Sequence, residues 1–211
     1  MSMKNLYIVG AGGFGREVYS WLLDEGELLK EHNFSGFLDD NPSALDAYGL
    51  EARVAGSISN FSDFTNAVFI CGIGSVEPKK RLCAPMLAKG AQFLQLIHPS
   101  VIMGNNVCLG LGVVLCPRVT LTCDIEVGEM AMINCHSSAG HDAKIGAWAT
   151  VSAHCDLTGS TEVGEGAFLG SGVSIIPTKK VGKRVTVGAG SVVIRNIPDG
   201  ARVFGNPARE F

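Results

Sequence analysis

From Met103 to Val193 an aliphatic side chain recurs every six positions without an insertion: Met103, Leu109, Leu115, Leu121, Val127, Ile133, Ala139, Ile145, Val151, Leu157, Val163, Leu169, Ile175, Val181, Val187 and Val193. The residue two before each of these pointers is mostly small or β-branched, as at Val101, Val107, Val113, Val119, Ile125, Ala131, Ala143, Ala149, Thr161 and Ala167. Side chains two apart on an extended strand share a face, so each hexad reads as a short strand with both residues turned inward. The residue after the pointer is often Gly, as at Gly104, Gly110, Gly128, Gly146 and Gly164, with Asn134 at one such place. A tight left-handed corner is the expected reason, since Gly and Asn tolerate it. A hexad cannot bury its pointer alone and must stack on its neighbours, which is the pattern of a parallel β-helix.

Composition fits this reading. Of the 211 residues 46% are apolar but only 7% aromatic, which suits narrow coils packed with methyl-sized groups. The net charge of −3 supports neither nucleic-acid binding nor attraction to an anionic membrane. No run approaches the ~20 apolar residues of a membrane span, and the first residues lack the basic, apolar, small-residue order of a signal peptide. A cytoplasmic location is expected. The seven cysteines are odd in number and form no CxxC pair, so they read as small apolar residues rather than disulfides or metal ligands.

The first hundred residues follow a different rule. An apolar strand from Lys4 to Val9 runs into Gly10-Ala11-Gly12-Gly13-Phe14-Gly15, and a helical stretch follows from Arg16 to Leu23. A second strand, Phe34 to Leu38, ends in Asp39-Asp40. A third, Ala67 to Cys71, ends in Gly72-Ile73-Gly74-Ser75 and leads into a helix from Val76 to Lys89. Strands alternating with helices imply a parallel sheet with its ligand loops at the strand C-termini. A lone GxGxxG is weak. Here it has a strand before it, a helix after it and an acidic strand end further on. Glycines let a phosphate approach the backbone, and the helix N-terminus offers it free N–H groups. The alternatives are a tight turn with no ligand, or NAD; about 95 residues hold only half of a doubly wound domain, which suits a mononucleotide better.

Taken together, both halves resemble the hexapeptide-repeat acyltransferases, and among them the sugar-nucleotide acetyltransferases of the bacillosamine-type N-acetyltransferase and sialic acid O-acetyltransferase group. The matching residues are Gly10 to Gly15, Phe37-Leu38-Asp39-Asp40, Ile97-His98-Pro99-Ser100, His141-Asp142, and the closing Gly205-Asn206-Pro207-Ala208-Arg209. The resemblance implies a Rossmann-like nucleotide-sugar domain over residues 1–97. It implies a left-handed helix of three hexads per turn over 98–211, so that residues 18 apart stack about 4.8 Å from one another. It also implies a homotrimer with acetyl-CoA in a groove between neighbouring helices. The nucleotide would be held by Gly10, Gly12, Gly13, Phe14 and Gly15, by Asp39 and Asp40, and by Gly72 and Gly74. Acetyl-CoA would be held by Thr150, Gly170, Gly188, Gly205, Pro207 and Arg209.

His141 lies two after the pointer Ala139, on an outward phase of its hexad, so the core does not need it. The resemblance makes it the general base of acetyl transfer, a task a neutral imidazole suits. Asp142 stands where the family usually has Glu; the shorter arm leaves its reach to the ring open. Thr150 stands where bacillosamine-type enzymes have a second histidine. His136 and His154 are 18 apart in one phase, and are expected to stack near His141, lining the acceptor pocket or forming only a solvated ladder. Lys179 falls at an inward phase, where an ammonium without a partner is costly, so a bulge from Pro177 to Lys180 is expected to turn it outward.

The expected reaction is acetyl transfer from acetyl-CoA to the amine of a nucleotide-activated amino sugar for surface polysaccharide or glycan synthesis, without a metal. Transfer to a hydroxyl of sialic acid or another sugar is the nearest alternative. A zinc site of the γ-type carbonic anhydrase kind, with His136 and His141 five apart, is an alternative of another class. A non-catalytic nucleotide-binding scaffold is a further one.

Overall fold

The computed structural model describes residues 3–210. It divides into two compact units, Met1–Leu96 and Ile97–Phe211.

The first unit contains β1 (Lys4–Val9), α1 (Gly13–Glu25), α2 (Glu27–Glu31), β2 (His32–Leu38), β3 (Val54–Gly56), β4 (Ala67–Cys71) and α3 (Val76–Ala88). The strands form one parallel sheet in the order β3-β2-β1-β4. β1 is central: Leu6, Ile8 and Val9 are fully buried, and all five residues of β4 are buried beside them. The chain leaves β1 towards β2 on one side and returns to β4 on the other. The loops after β1 and β4 therefore part at the C-terminal edge, at the switch point where such sheets bind ligands. The Gly72 amide donates to the Val9 carbonyl at 2.8 Å and the Gly10 amide to the Leu38 carbonyl at 2.8 Å, tying the three strand ends together. β3 and α2 have no counterpart in the sequence reading, being too short to show a period.

The second unit is a left-handed parallel β-helix of two-residue strands. Three ladders run along it, and in each the partners are 18 residues apart: Glu126 and Val127 pair with Lys144 and Ile145, Met132 and Ile133 with Thr150 and Val151, Ser138 and Ala139 with Asp156 and Leu157. Pointers and the residues two before them form one continuous core, from Val113 and Leu115 through Ala139, Val151 and Ile175 to Val193. Near the C-terminus Arg202–Phe204 adds in parallel to Thr186–Val187, and Arg209–Glu210 folds back antiparallel on it.

Two expectations are corrected here. The left-handed residue of each corner is not the one after the pointer but the one three after it. It is Asn106, Arg118, Asp124, Met130, His136, Asp142, Trp148, His154, Ser160, Thr178 or Arg184, all with φ between 53° and 68°, or a glycine such as Gly112 or Gly166. The glycine after the pointer serves close stacking instead. A Cβ on Gly146 would come within 2.6 Å of the Glu165 amide nitrogen in the next coil, and one on Gly170 equally close to that of Ala189. Asn134 is not among the residues with positive φ.

The coil around Lys179 is regular. Lys180 and Val181 pair with Glu162 and Val163, and the Glu162 amide donates to the Lys179 carbonyl at 3.0 Å. No bulge forms. Lys179 is half-buried rather than sealed in the core, as its long stem permits.

Candidate functional site

In the first unit the three strand ends enclose a cavity of about 410 Å³. Of the residues assigned to the nucleotide, Gly10, Gly12, Gly13, Phe14, Asp39, Asp40, Gly72 and Gly74 all line it. A Cβ on Gly12 would meet nothing within 4 Å, so that backbone faces open space. α1 starts there with no side-chain cap and no acidic residue in its first turn, leaving its N-terminal N–H groups and positive dipole end for an anion. Gly15 is different. It is buried, and a Cβ on it would run into the Gly10 carbonyl, so it seats the helix on the loop rather than touching a ligand.

Both aspartates shape the cavity's rim. Asp39 accepts from the Ala11 amide at 2.8 Å and from the Asn41 amide at 2.9 Å, fixing the glycine loop to the end of β2. Asp40 accepts from Ser57 Oγ at 2.6 Å and from Ser59 through both its amide and its hydroxyl. The Ser57 hydroxyl, then the Ser59 amide and hydroxyl, hold the Asp40 carboxyl below its ordinary range. The cavity also takes in Ile58, Ile73, Ser75, Pro78, Arg81 and Leu82. Ser75, Pro78 and Leu82 follow helical spacing at the start of α3, a signal the sequence carried. Arg81 brings a guanidinium to a cavity with an open helix N-terminus, an arrangement that fits phosphate.

In the second unit His141 and Asp142 form a corner. His141 Nδ1 lies 2.7 Å from Asp142 Oδ2, and Asp142 carries the corner's left-handed backbone, φ 60°. A carboxylate only accepts, so Nδ1 carries the ring hydrogen and Nε2 keeps its lone pair. Both side chains are well exposed, 65% and 61%. Asp124, one coil earlier in the same left-handed column, adds a second carboxylate near the ring. Its carboxyl is held below its usual range by hydrogen bonds from Asn106 and Cys123, with His141 contributing.

The remaining assigned residues lie elsewhere. His136 and His154 stack in parallel, centroids 4.9 Å apart and planes 9° apart, both left-handed. Their corner precedes Ser138–Ala139, whereas His141 follows it, so they occupy a different edge of the prism from His141. Among the described residues no three His, Cys, Asp or Glu side chains group as a metal site. Thr150 is only 2% exposed, in the ladder between Met132 and Phe168. Gly170 and Gly188 lie one coil apart, and a Cβ on Gly188 would strike the Phe204 ring at 2.5 Å. The Gly205 amide donates to Ser191 Oγ at 3.0 Å, and Asn206–Pro207 is the next step of the chain. Arg209, with Arg195, lines a separate cavity of about 200 Å³ near Ile194 and Pro198. Among the described residues none of the seven cysteines forms a disulfide.

Comparison with known proteins agrees with this architecture. Residues 5–85 match the family model of the PglD N-terminal domain. Over 143 residues the chain is 27% identical to the GDP-perosamine N-acetyltransferase of Escherichia coli O157:H7; the match covers 65% of this chain and 63% of that relative. Among solved structures, the H141N mutant of perosamine N-acetyltransferase from Caulobacter crescentus, in complex with CoA and GDP-perosamine, superposes with a TM-score of 0.86. It is 27% identical, over 100% of this chain and 98% of that one. The acetyltransferase domain of PglB from Neisseria gonorrhoeae, in complex with acetyl coenzyme A, also has a TM-score of 0.86, with 25% identity and 100% of both chains covered. A left-handed helix carrying an exposed, carboxylate-held histidine, together with an N-terminal α/β unit, therefore makes the chain similar over its whole length to these solved acetyltransferases.

Proposed function

We propose that the chain transfers the acetyl group of acetyl-CoA to the amine of a nucleotide-activated amino sugar, with His141 as the general base. The observation that carries this is the His141–Asp142 pair: an exposed imidazole with its hydrogen directed to a carboxylate at 2.7 Å and Nε2 left to accept a proton. As the amine nitrogen attacks the thioester carbonyl carbon, Nε2 takes the proton the nitrogen loses, and the imidazolium is stabilised by Asp142. When the carbon–sulfur bond breaks, the imidazolium returns that proton to the leaving thiolate, and the base is regenerated. No covalent enzyme intermediate is needed. Perosamine N-acetyltransferase is solved with CoA and GDP-perosamine both unsubstituted and substituted at a histidine, which supports a site that takes a CoA cofactor and a nucleotide-linked amino sugar together.

The nucleotide would occupy the cavity of the first unit, its diphosphate at the N-terminus of α1 with Arg81 alongside, and hydroxyls of its ribose at Asp39 or Asp40. Acetyl-CoA would lie along the helix, with Arg209 and Arg195 available to its phosphates. The flat ladders and the exposed histidine corner suit a homotrimer in which neighbouring helices enclose the cofactor, and acetyl-CoA and a nucleotide sugar as substrates support a cytoplasmic location. No helix among the described residues is long and apolar enough to cross a membrane. The test is thiol release from acetyl-CoA with GDP-perosamine and with UDP- and dTDP-linked 4-amino sugars. Stoichiometric thiol and N-acetylated sugar with one nucleotide series is expected. Release only with free sialic acid or hydroxyl acceptors would replace amine transfer by O-acetylation, and release with no acceptor would overturn the proposal.

A further inference from the structure

The position one coil above His141 is Gly159, because Ser138 and Ala139 pair with Asp156 and Leu157 and the Ser160 amide donates to the His141 carbonyl at 2.7 Å. A Cβ on Gly159 would fall on His141 Nε2 and lie within 2.6 Å of Cε1 and 3.0 Å of Cδ2. This differs from glycines that follow pointers such as Gly146, Gly164 and Gly170, where the added atom meets the backbone of the next coil. Here the three nearest atoms all belong to the imidazole, on the edge that carries the free lone pair. Gly159 is not among the glycines with positive φ, so its backbone does not require glycine. In the same column Cys123 lies one coil below His141 and Pro177 one coil above Gly159, and the Cys123 thiol is hydrogen-bonded to Asp124. The ring is thus held at Nδ1 by Asp142 and leans into a space that exists because residue 159 has no side chain.

We infer that Gly159 is a positioning residue for the base: its missing side chain keeps Nε2 in place to receive the substrate's proton. The inference rests on the proposed role of His141, but its geometry can be read separately from activity. A side chain at 159 meets a ring that can rotate away, so the coil stays intact while Nε2 moves and the bond to Asp142 opens. Displacement of a catalytic group by about 1 Å can cost on the order of 100-fold in rate.

The experiment compares Gly159→Ala, His141→Asn and the double variant in the thiol-release assay, with the His141 ring resonances followed by NMR in Gly159→Ala. Gly159→Ala is expected to melt with the wild type, to lose about 10- to 100-fold in kcat, and to keep its acetyl-CoA KM within about twofold. The His141 ring signals should move while those of the stacked His136 and His154 stay. In the His141→Asn background the alanine should add no further loss. Gly164→Ala, whose Cβ would reach backbone of the next coil at 2.5 Å, should instead lower the melting temperature. Unmoved His141 resonances, undiminished kcat, or an equal additional loss in the His141→Asn background would each overturn the inference. Shifted resonances with wild-type turnover in His141→Asn would instead remove the base assignment, and the catalytic role of Gly159 with it.

Discussion

His141 Nδ1 and Asp142 Oδ2 are 2.7 Å apart although they belong to adjacent residues. The short aspartate arm reaches the ring because the corner turns left-handed at residue 142. The carboxylate fixes the tautomer and offsets the positive charge that the ring gains on taking a proton. Asp142→Ala should therefore lower kcat by about 10- to 100-fold with little change in acetyl-CoA KM, and Asp142→Asn, which still offers an acceptor oxygen to Nδ1, should lose less. Steady-state kinetics with both substrates varied checks this; equal losses in the two variants would mean the acceptor geometry contributes nothing.

The nucleotide cavity makes a separate prediction. Gly12→Val projects into open space at the α1 N-terminus, where the proposed diphosphate passes, and Arg81→Ala removes a guanidinium from the cavity lining. Both should raise the acceptor KM by about 10-fold or more while acetyl-CoA KM holds. Titration of the nucleotide alone should show the same weakening. A rise in acetyl-CoA KM of the same size would place the cofactor, not the nucleotide, in this cavity.

Lys79 is fully buried in α3 beside Cys71 and Cys83, and desolvation lowers its pKa to about 8 from 10.5. Unfolded lysine keeps its proton up to the higher value. Between about 8 and 10.5 the unfolded chain therefore binds more protons than the folded one, and stability must rise with pH across that window. The penalty is fully present below about 8 and disappears above 10.5. Chemical denaturation at several pH values should show the wild type gaining stability relative to Lys79→Met from pH 8 upward, by on the order of 1–3 kcal/mol. Parallel curves for the two proteins would show that burial does not perturb this lysine.

A cofactor site shared between neighbouring helices requires assembly. Light scattering should give about three times the 22.2 kDa of the chain at assay concentration. A monomer that is fully active would remove the shared groove from the account.

The hexad phase was legible because an 18-residue turn repeats one geometry throughout the helix, and the αβ order of the first unit was legible from strand-end glycines and aspartates. The role of the repeat glycines was not. Glycine marks either a positive φ or a close approach, and sequence alone does not separate them. The structure assigns close approach to Gly146 and Gly170, and gives the left-handed corner to bulkier residues such as Trp148 and His136. Thr150 illustrates a signal that was present and unused: nine residues from His141 is half of an 18-residue turn, which puts it on the far side of the prism. Ser57, Ile58 and Ser59 come from an irregular segment after β3, where no period or motif announces that the backbone returns to the Asp40 carboxylate. Gly159 was hidden for a related reason, since its importance lies in the ring one coil away.

The central claim is tested most directly by the rate of thiol release in His141→Asn with acetyl-CoA and the best acceptor from the nucleotide-sugar screen. Asparagine keeps roughly the size and polarity of the side chain but cannot accept a proton at neutral pH. The account predicts a fall in kcat of about 10²–10⁴-fold, with acetyl-CoA still bound at near wild-type affinity. Turnover within about threefold of the wild type would contradict it, because a general base that can be removed without slowing proton transfer is not the base.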